Sequence, residues 1–475
     1  MARRPIPSHA LAPAIRDPSP SAGGGRGCRL GARFSAVSPH RPPIPPGPWL
    51  VVGLARSGAS AARLLWARGE PVICVDSGDP AEAAELREVG MEVWTGVTGL
   101  AELERARAVV KSPGVPPSAP VVARAVERGI PVCGELELGW RLLERPFVAV
   151  TGTNGKTTAV ELLGEIWRAA GREVALAGNV GTPVTALADG LPAGATVICE
   201  ASSYQLHDAV AFAPEVGLIL NLTPDHLAWH GTLEAYGGAK LRLFEHQHPG
   251  LAAVGPRDLL AQAGGEARRV VVGPEPGDDL ALREGALWWQ GEPLIGLDEI
   301  RLPGAHNAWN AAGAAAAALA AGIGTGPVAA ALRTFAGVEH RLVEVRTLDG
   351  VTWINDSKST NIASTTVALD TFAAPIHLIL GGQGKDQDFT TLRGAIRARV
   401  VAVHVIGEDA GRIADDLDGT VPISVDGDLE AAVRAARGTA RGGEIVLLSP
   451  AGASFDQFAD YEERGRAFKA LVTAL

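Results

Sequence analysis

Cysteine is scarce in this 475-residue chain: Cys28, Cys74, Cys133 and Cys199 stand far apart, with no CxxC spacing. That pattern excludes a disulfide framework and a cysteine-built zinc site, and it points to a reducing, cytoplasmic setting. Long apolar runs are missing too. The longest, around Ala311 to Ala321, is mostly alanine and falls short of the roughly 20 residues that span a bilayer, so no membrane insertion is expected. Nor is there an excess of positive charge. A formal net charge of −10 argues against a chain whose main task is to neutralise nucleic-acid phosphates. No repeat of roughly 20 to 50 residues is present.

Residues 1–48 lack the apolar content of a core. They are rich in Pro, Gly, Ser and Arg, with seven arginines against one aspartate, a formal charge of +6. Such a segment cannot bury enough apolar surface to offset its ordering entropy, and it has no continuous apolar stretch of the secretory-signal kind. A disordered extension is expected there.

From Trp49 onward the composition is that of a folded protein, 47% hydrophobic over the whole chain, and the length calls for two or three domains. Short Val/Ile/Leu runs alternate with Ala-rich stretches of helical period, the pattern of β-α units on parallel sheets, so the class is α/β. Strands are expected at Trp49 to Val52, Val72 to Val75, Phe147 to Val150, Thr196 to Cys199, Leu218 to Leu220, His377 to Leu380, Val401 to Val405 and Ile445 to Leu448. New sets of strands and glycine-rich turns begin near Arg145-Pro146 and Gly337-Val338. Three units follow, 49–143, 144–337 and 338–475.

The strongest local signal is Thr151-Gly152-Thr153-Asn154-Gly155-Lys156-Thr157-Thr158, with a strand before it and a helical pattern after it. Glycines let backbone N–H groups wrap a phosphate, the helix N-terminus adds positive potential, Lys156 adds a point charge and Thr157 offers a hydroxyl to Mg²⁺. Only two residues separate its first two glycines, against four in the usual loop of this kind. Glu200, at the end of the strand Thr196 to Cys199, is a candidate Mg²⁺ ligand, followed by the polar run Ser202-Ser203-Tyr204-Gln205. His226 follows another strand and is a candidate for metal or substrate phosphate. Lys240, inside a helical stretch, reads on local grounds as a surface charge. In the first unit Gly53-Leu54-Ala55-Arg56-Ser57-Gly58 follows a strand, with Asp76 at the end of the next. Ala55 replaces the glycine that close pyrophosphate approach requires, which disfavours NAD and leaves either another diphosphate or a structural turn.

Taken together and in this order, the motifs resemble the Mur ligase family, whose ATP loop reads GTNGKT or GTNGKS. Further marks are Gly304-Ala305-His306-Asn307-Ala308-Trp309-Asn310, His340-Arg341 and Asn355-Asp356-Ser357-Lys358-Ser359-Thr360-Asn361. The stretches 202–206, 381–389 and 449–458 resemble the D-glutamate-adding branch, and the Asp-Asn-Pro-Arg pattern of diaminopimelate-adding members is absent. The resemblance implies a Rossmann-like UDP-binding domain, a central ATPase domain and a C-terminal Rossmann-like domain for the amino acid. It also implies an ATP-dependent ligase that joins D-glutamate to UDP-N-acetylmuramoyl-L-alanine through an acyl phosphate in peptidoglycan precursor synthesis, acting as a monomer.

Carried over position by position, it places Gly152 to Thr158 on ATP, with Thr157, Glu200, His226 and a carbamylated Lys240 around two Mg²⁺ ions. Asn307 and Asn310 fall on the adenine side, Arg341 at the terminal phosphates and Asp356 at the ribose. Lys358 and Thr360 face the reacting acyl group. Ser202, Gln205, Lys385, Ser454, Phe455 and Tyr461 join the substrate site, and Arg56, Ser57, Asp76, Ser77 and Asn179 the UDP-linked substrate. Relatives continue Asp-His-Leu with an acidic and a basic residue, where this chain has Ala228 and Trp229. The alternatives are a Mur ligase of other amino-acid specificity, a folylpolyglutamate synthase, or a nucleotide-hydrolysing switch, which leaves Lys358 and Lys385 unexplained.

Overall fold

The computed structural model describes residues 41–302, 304–383 and 387–475, so Lys385 and most of the N-terminal extension lie outside the described residues. Three sheets succeed one another along the chain. The first is wholly parallel, in the spatial order Glu92–Thr95, Val72–Asp76, Trp49–Val52, Ala108–Lys111, Val132–Gly134. Its strands are short continuous apolar runs because helices cover both faces.

The second sheet has a parallel centre in the order Ala252–Gly255, Val216–Ile219, Phe147–Thr151, Thr196–Glu200, Val174–Gly178. Register pairs Val150 with Glu200 and Thr151 with Ile219, so the loop after Thr151 emerges between the carboxyl ends of two neighbours. That is where ligands of open α/β sheets bind. The far edge continues through Arg268–Gly273 into antiparallel strands Leu280–Arg283, Ala286–Trp289 and Glu292–Gly296, which the βα reading did not anticipate. The alanine-rich helix Ala305–Ala320 lies in the core, with Ala311, Ala312 and Ala314 to Ala318 fully buried. Its small side chains let it pack closely on the loop's own helix, Lys156–Ala169.

The third sheet runs Val343–Leu348, Val351–Asn355, Ile445–Ala451, Ile376–Gly381, Val400–Ile406, Ile423–Gly427, parallel except at its first pair. The architecture is the expected α/β class. Among the described residues no helix is long and apolar enough to cross a membrane.

Two features depart from the sequence division. The helix Glu135–Leu143, assigned wholly to the first unit, buries Leu136, Trp140 and Leu143 in the core of the second while Leu138 packs in that of the first. Each large side chain buried this way contributes about 1.5–3 kcal/mol, so neither unit can release the helix without losing several kcal/mol. Residues 41–48, placed in the extension, lie against the body of the protein. Arg41 donates to the carbonyls of Trp140, at 2.8 Å, and Arg145, sits over the Trp140 and Phe147 rings, and faces Glu215 at 3.7 Å.

Candidate active site

The phosphate-type loop is held open from below. Asn221 accepts from the backbone N–H groups of Thr153 (3.1 Å) and Asn154 (3.0 Å) and donates back to the Asn154 carbonyl at 3.1 Å. Gly155 starts the helix Lys156–Ala169 at φ +84°, and a Cβ there would stand 2.1 Å from Asn310 Oδ1. No other residue satisfies both the dihedral and the space. Asn310, expected at the adenine, is thus buried against the loop, where its amide donates to Asn307 Oδ1 at 3.1 Å.

Three of the expected groups converge at the helix start. Glu200, 3% exposed, accepts from the Thr157 hydroxyl at 2.7 Å through one oxygen and from the Asn179 amide at 3.0 Å through the other. Lys156 curls back on the loop, donating to the carbonyls of Gly152 (2.8 Å) and Thr153 (2.9 Å), and burial lowers its pKa. Thr158 is buried, with no partner for its hydroxyl.

Lys240 corrects its local reading as a surface charge. It is 1% exposed in the helix Leu233–Glu245 and donates to the same Gly152 carbonyl at 2.8 Å, with its ammonium nitrogen 4.6 Å from the centre of the Tyr236 ring. Burial, reinforced by Lys156, lowers its pKa to about 6. The shift favours the neutral amine, the form that adds to carbon dioxide. Tyr236 in turn donates to Thr153 Oγ1 at 3.3 Å. His226 adopts φ +52° beside Asp225 and packs between Tyr204 and Tyr236, 5.1 and 6.1 Å between ring centres. Trp229 stacks edge-on to Tyr204 at 4.9 Å. Among the described residues no three His, Cys, Asp or Glu side chains form a ready cation cage. The donors at the loop are hard oxygens from a hydroxyl and a carboxylate, which fit Mg²⁺, and a carbamate on Lys240 would add another.

Two cavities border this centre. One of about 780 Å³ extends from Asn154 and Gly155 past Asn221 to Arg257, His306 and Trp309, with Arg341 from the third unit on its wall. The other, about 740 Å³, joins Thr157 and Glu200 to Lys358, Tyr461 and Gly181. Lys358 donates to the Tyr461 hydroxyl at 2.7 Å, and burial lowers its pKa. All three tyrosines of the chain, Tyr204, Tyr236 and Tyr461, border this region.

Other expected residues are placed differently. Ser202 and Gln205 spend their side chains on each other as a capping box for the helix Ser203–His207, a role readable from the S-x-x-Q spacing. Asp356 is 1% exposed and accepts from Ser359 (2.5 Å), Ser449 (2.8 Å) and the Leu342 N–H (3.3 Å), so it braces the Arg341 turn. Burial raises its pKa to about 6. In the first unit Asp76 is occupied by the N–H groups of Leu54 (2.6 Å) and Gly78 (2.7 Å), Ser77 is exposed, Ser57 is half-buried, and Arg56 reaches the Gly181 carbonyl of the second unit. Thr360 is half-buried, Ser454 buried and Phe455 exposed. Asn221 and Tyr236, which order the loop and the lysine, went unrecognised in the sequence, where only the polar run after a strand and the K−4 spacing on a helix pointed to them.

Comparison with known proteins matches residues 48–134 to the Mur ligase MurD-like N-terminal domain, 150–318 to the Mur ligase middle domain and 340–452 to the Mur ligase glutamate ligase domain. The chain is 41% identical over 446 residues to the UDP-N-acetylmuramoylalanine--D-glutamate ligase of Pelotomaculum thermopropionicum, covering 90% of this chain and 97% of that one. It is 41% identical over 442 residues to the enzyme of the same name from Acidobacterium capsulatum, covering 90% and 96%. In fold it is similar to the UDP-N-acetylmuramate-alanine ligase of Thermotoga maritima (TM-score 0.57, 18% identity, 90% and 99% covered). A MurF ligase from that organism in complex with ADP is also similar (TM-score 0.56, 17% identity, 78% and 91% covered).

Proposed function

The chain belongs to the Mur ligase family, and from that premise we propose that it is an ATP-dependent ligase joining D-glutamate to UDP-N-acetylmuramoyl-L-alanine for peptidoglycan precursor synthesis. The observation that carries the reading is the convergence of Thr157, Glu200, Lys156 and Lys240 on one loop at the carboxyl ends of adjacent parallel strands.

In the proposed reaction the L-alanyl carboxylate attacks the γ-phosphorus of ATP, giving an acyl phosphate and ADP. The D-glutamate amine then attacks the acyl carbon, the C–O bond to phosphate breaks, and the amide forms as the nitrogen loses a proton. Lys156, now held by loop carbonyls, exchanges them for phosphate oxygens, and the start of the helix Lys156–Ala169 turns its first N–H groups toward the phosphate, while Asn221 fixes the loop by holding the Thr153 and Asn154 N–H groups. Lys358 stands across the cavity, where it would offset charge on the reacting acyl phosphate, and Arg341 would meet the transferred phosphate. Mg²⁺, two ions held by Thr157, Glu200 and a carbamylated Lys240 near His226, would supply further charge neutralisation on the phosphates. The family resemblance supports Arg56, Ser57, Asp76 and Ser77 for the UDP group, Asn179 for the same substrate, and Lys385, Ser454 and Phe455 for D-glutamate. We place the enzyme in the cytoplasm as a monomer.

Phosphate release by purified protein, with UDP-N-acetylmuramoyl-L-alanine and a panel of amino acids, tests this. Release is expected only with D-glutamate present. Equal release with L-lysine or diaminopimelate, or release without any amino acid, would overturn the assignment.

A further inference from the structure

The cavity beside the loop is roomy enough for a nucleotide, at about 780 Å³. Its phosphate end is already marked by Asn154 and Gly155. Beside the loop the cavity is bounded by the helix Ala305–Ala320, whose sequence is built of Ala, Gly and Asn except at a few positions. Trp309 is the one aromatic residue of that helix, and it does not enter the core. It stands 41% exposed and lines the cavity. One turn later Gly313 takes the same face of the helix down onto the sheet, where a Cβ would lie 2.8 Å from Leu220. Trp309 is therefore held over the cavity by a backbone fixed against the strand Val216–Ile219.

An exposed indole with no work in folding is a costly surface feature, and here it is also unaccompanied. Its ring has no aromatic, cationic or hydrogen-bonding partner among the described residues. Close by, His306 on the same cavity wall has a buried Nε2 with no partner. The remaining lining includes apolar groups, Val272 and Pro274 among them. A flat apolar ring, an unsatisfied ring nitrogen and further apolar lining in the same cavity make a surface for a planar heteroaromatic group bearing hydrogen-bonding edges.

We infer that Trp309 is a specificity-determining residue of the nucleotide site, offering its indole face to the purine base of ATP while His306 meets a polar edge of the nucleoside. This rests on the reading of the cavity as the ATP site. Base–aromatic stacking of this kind is worth on the order of tenfold in affinity, and nothing in it touches the phosphates.

Calorimetric titration of ADP and of pyrophosphate into the full-length protein separates the two contributions. Trp309→Leu is expected to bind ADP about tenfold more weakly, Trp309→Phe to bind it nearly as the parent does, and all three to bind pyrophosphate equally. In steady-state assays Trp309→Leu raises KM for ATP, with kcat and the KM for D-glutamate unchanged. Unchanged ADP affinity in Trp309→Leu would overturn the inference, and so would a parallel loss of pyrophosphate binding. A parent that fails to bind ADP at all would remove the nucleotide reading as well, which the first titration reveals before any variant is made.

Discussion

The seam between the first and second units and the seam between the second and third are built from different materials. Across the first, Lys111 is buried 2.5 Å from Asp208 and donates to the Val115 carbonyl at 2.8 Å. Glu135 accepts from the Thr185 N–H (2.7 Å) and hydroxyl (2.8 Å), Ser60 meets that hydroxyl at 2.7 Å, and Glu137 receives the N–H groups of Val210 and Ala211. The helix Glu135–Leu143 adds a shared core. Across the second seam, one side-chain hydrogen bond is formed among the described residues, from the Ser364 hydroxyl to Asn154 at 3.4 Å, and both cavities open there. The first two units are thus joined by buried polar contacts and a shared core, whereas the third meets them across two cavities and sparse hydrogen bonding. The ligase chemistry needs that division, since two substrates and a nucleotide must enter and water must then be excluded.

Breaking the first seam should have the largest effect. Lys111→Met leaves Asp208 buried without its cation and is expected to lower stability by about 3–5 kcal/mol, seen as a large drop in the urea midpoint. A change under about 1 kcal/mol would mean that the pair is not the pin described here. Thr185→Val removes the hydroxyl that donates to the buried Glu135 carboxylate and that Ser60 meets, leaving the backbone N–H in place, with an expected loss of about 1–3 kcal/mol by the same measurement.

The second seam should barely register in stability. Ser364→Ala is expected within about 0.5 kcal/mol of the parent, while steady-state kinetics report any change in closure. A loss comparable to that of Thr185→Val would erase the contrast between the seams.

A pH-dependent effect sharpens the comparison from inside the second unit. The Lys240 pKa is about 6 folded, against a much higher value unfolded, so the unfolded chain binds the extra proton between these limits. Stability contributed at this position therefore rises with pH above about 6 and is flat below it. In carbonate-free buffer, the stability of the parent relative to Lys240→Met should climb between pH 6.5 and 8.5 by up to roughly 1.4 kcal/mol per pH unit. A flat difference would place the lysine in water.

Much of this was legible in the chain. Strand–loop–helix order at Thr151 to Thr158 and the acid closing the strand before Ala201 predicted which groups would meet, because parallel strands deliver their carboxyl ends to one edge. Burial was harder to read. Lys240 looks like a surface residue in its own helix, since the Gly152 carbonyl it meets is 88 positions away. Asp356 looks exposed in a polar run, but Ser449 folds back over it from a distant strand. Ser202 and Gln205 carry a local role that the substrate reading did not include, the capping box of their own helix.

Of the chain's three phenols, Tyr461 lines the second cavity, while Tyr236 is buried and Tyr204 half-buried beside His226, so one of them serves as an internal label of the cleft. The ultraviolet difference spectrum of phenol draws on three groups only, of which Tyr461 is the one that lines the second cavity. Its signal reports directly on whether the cleft is filled, with no engineered probe.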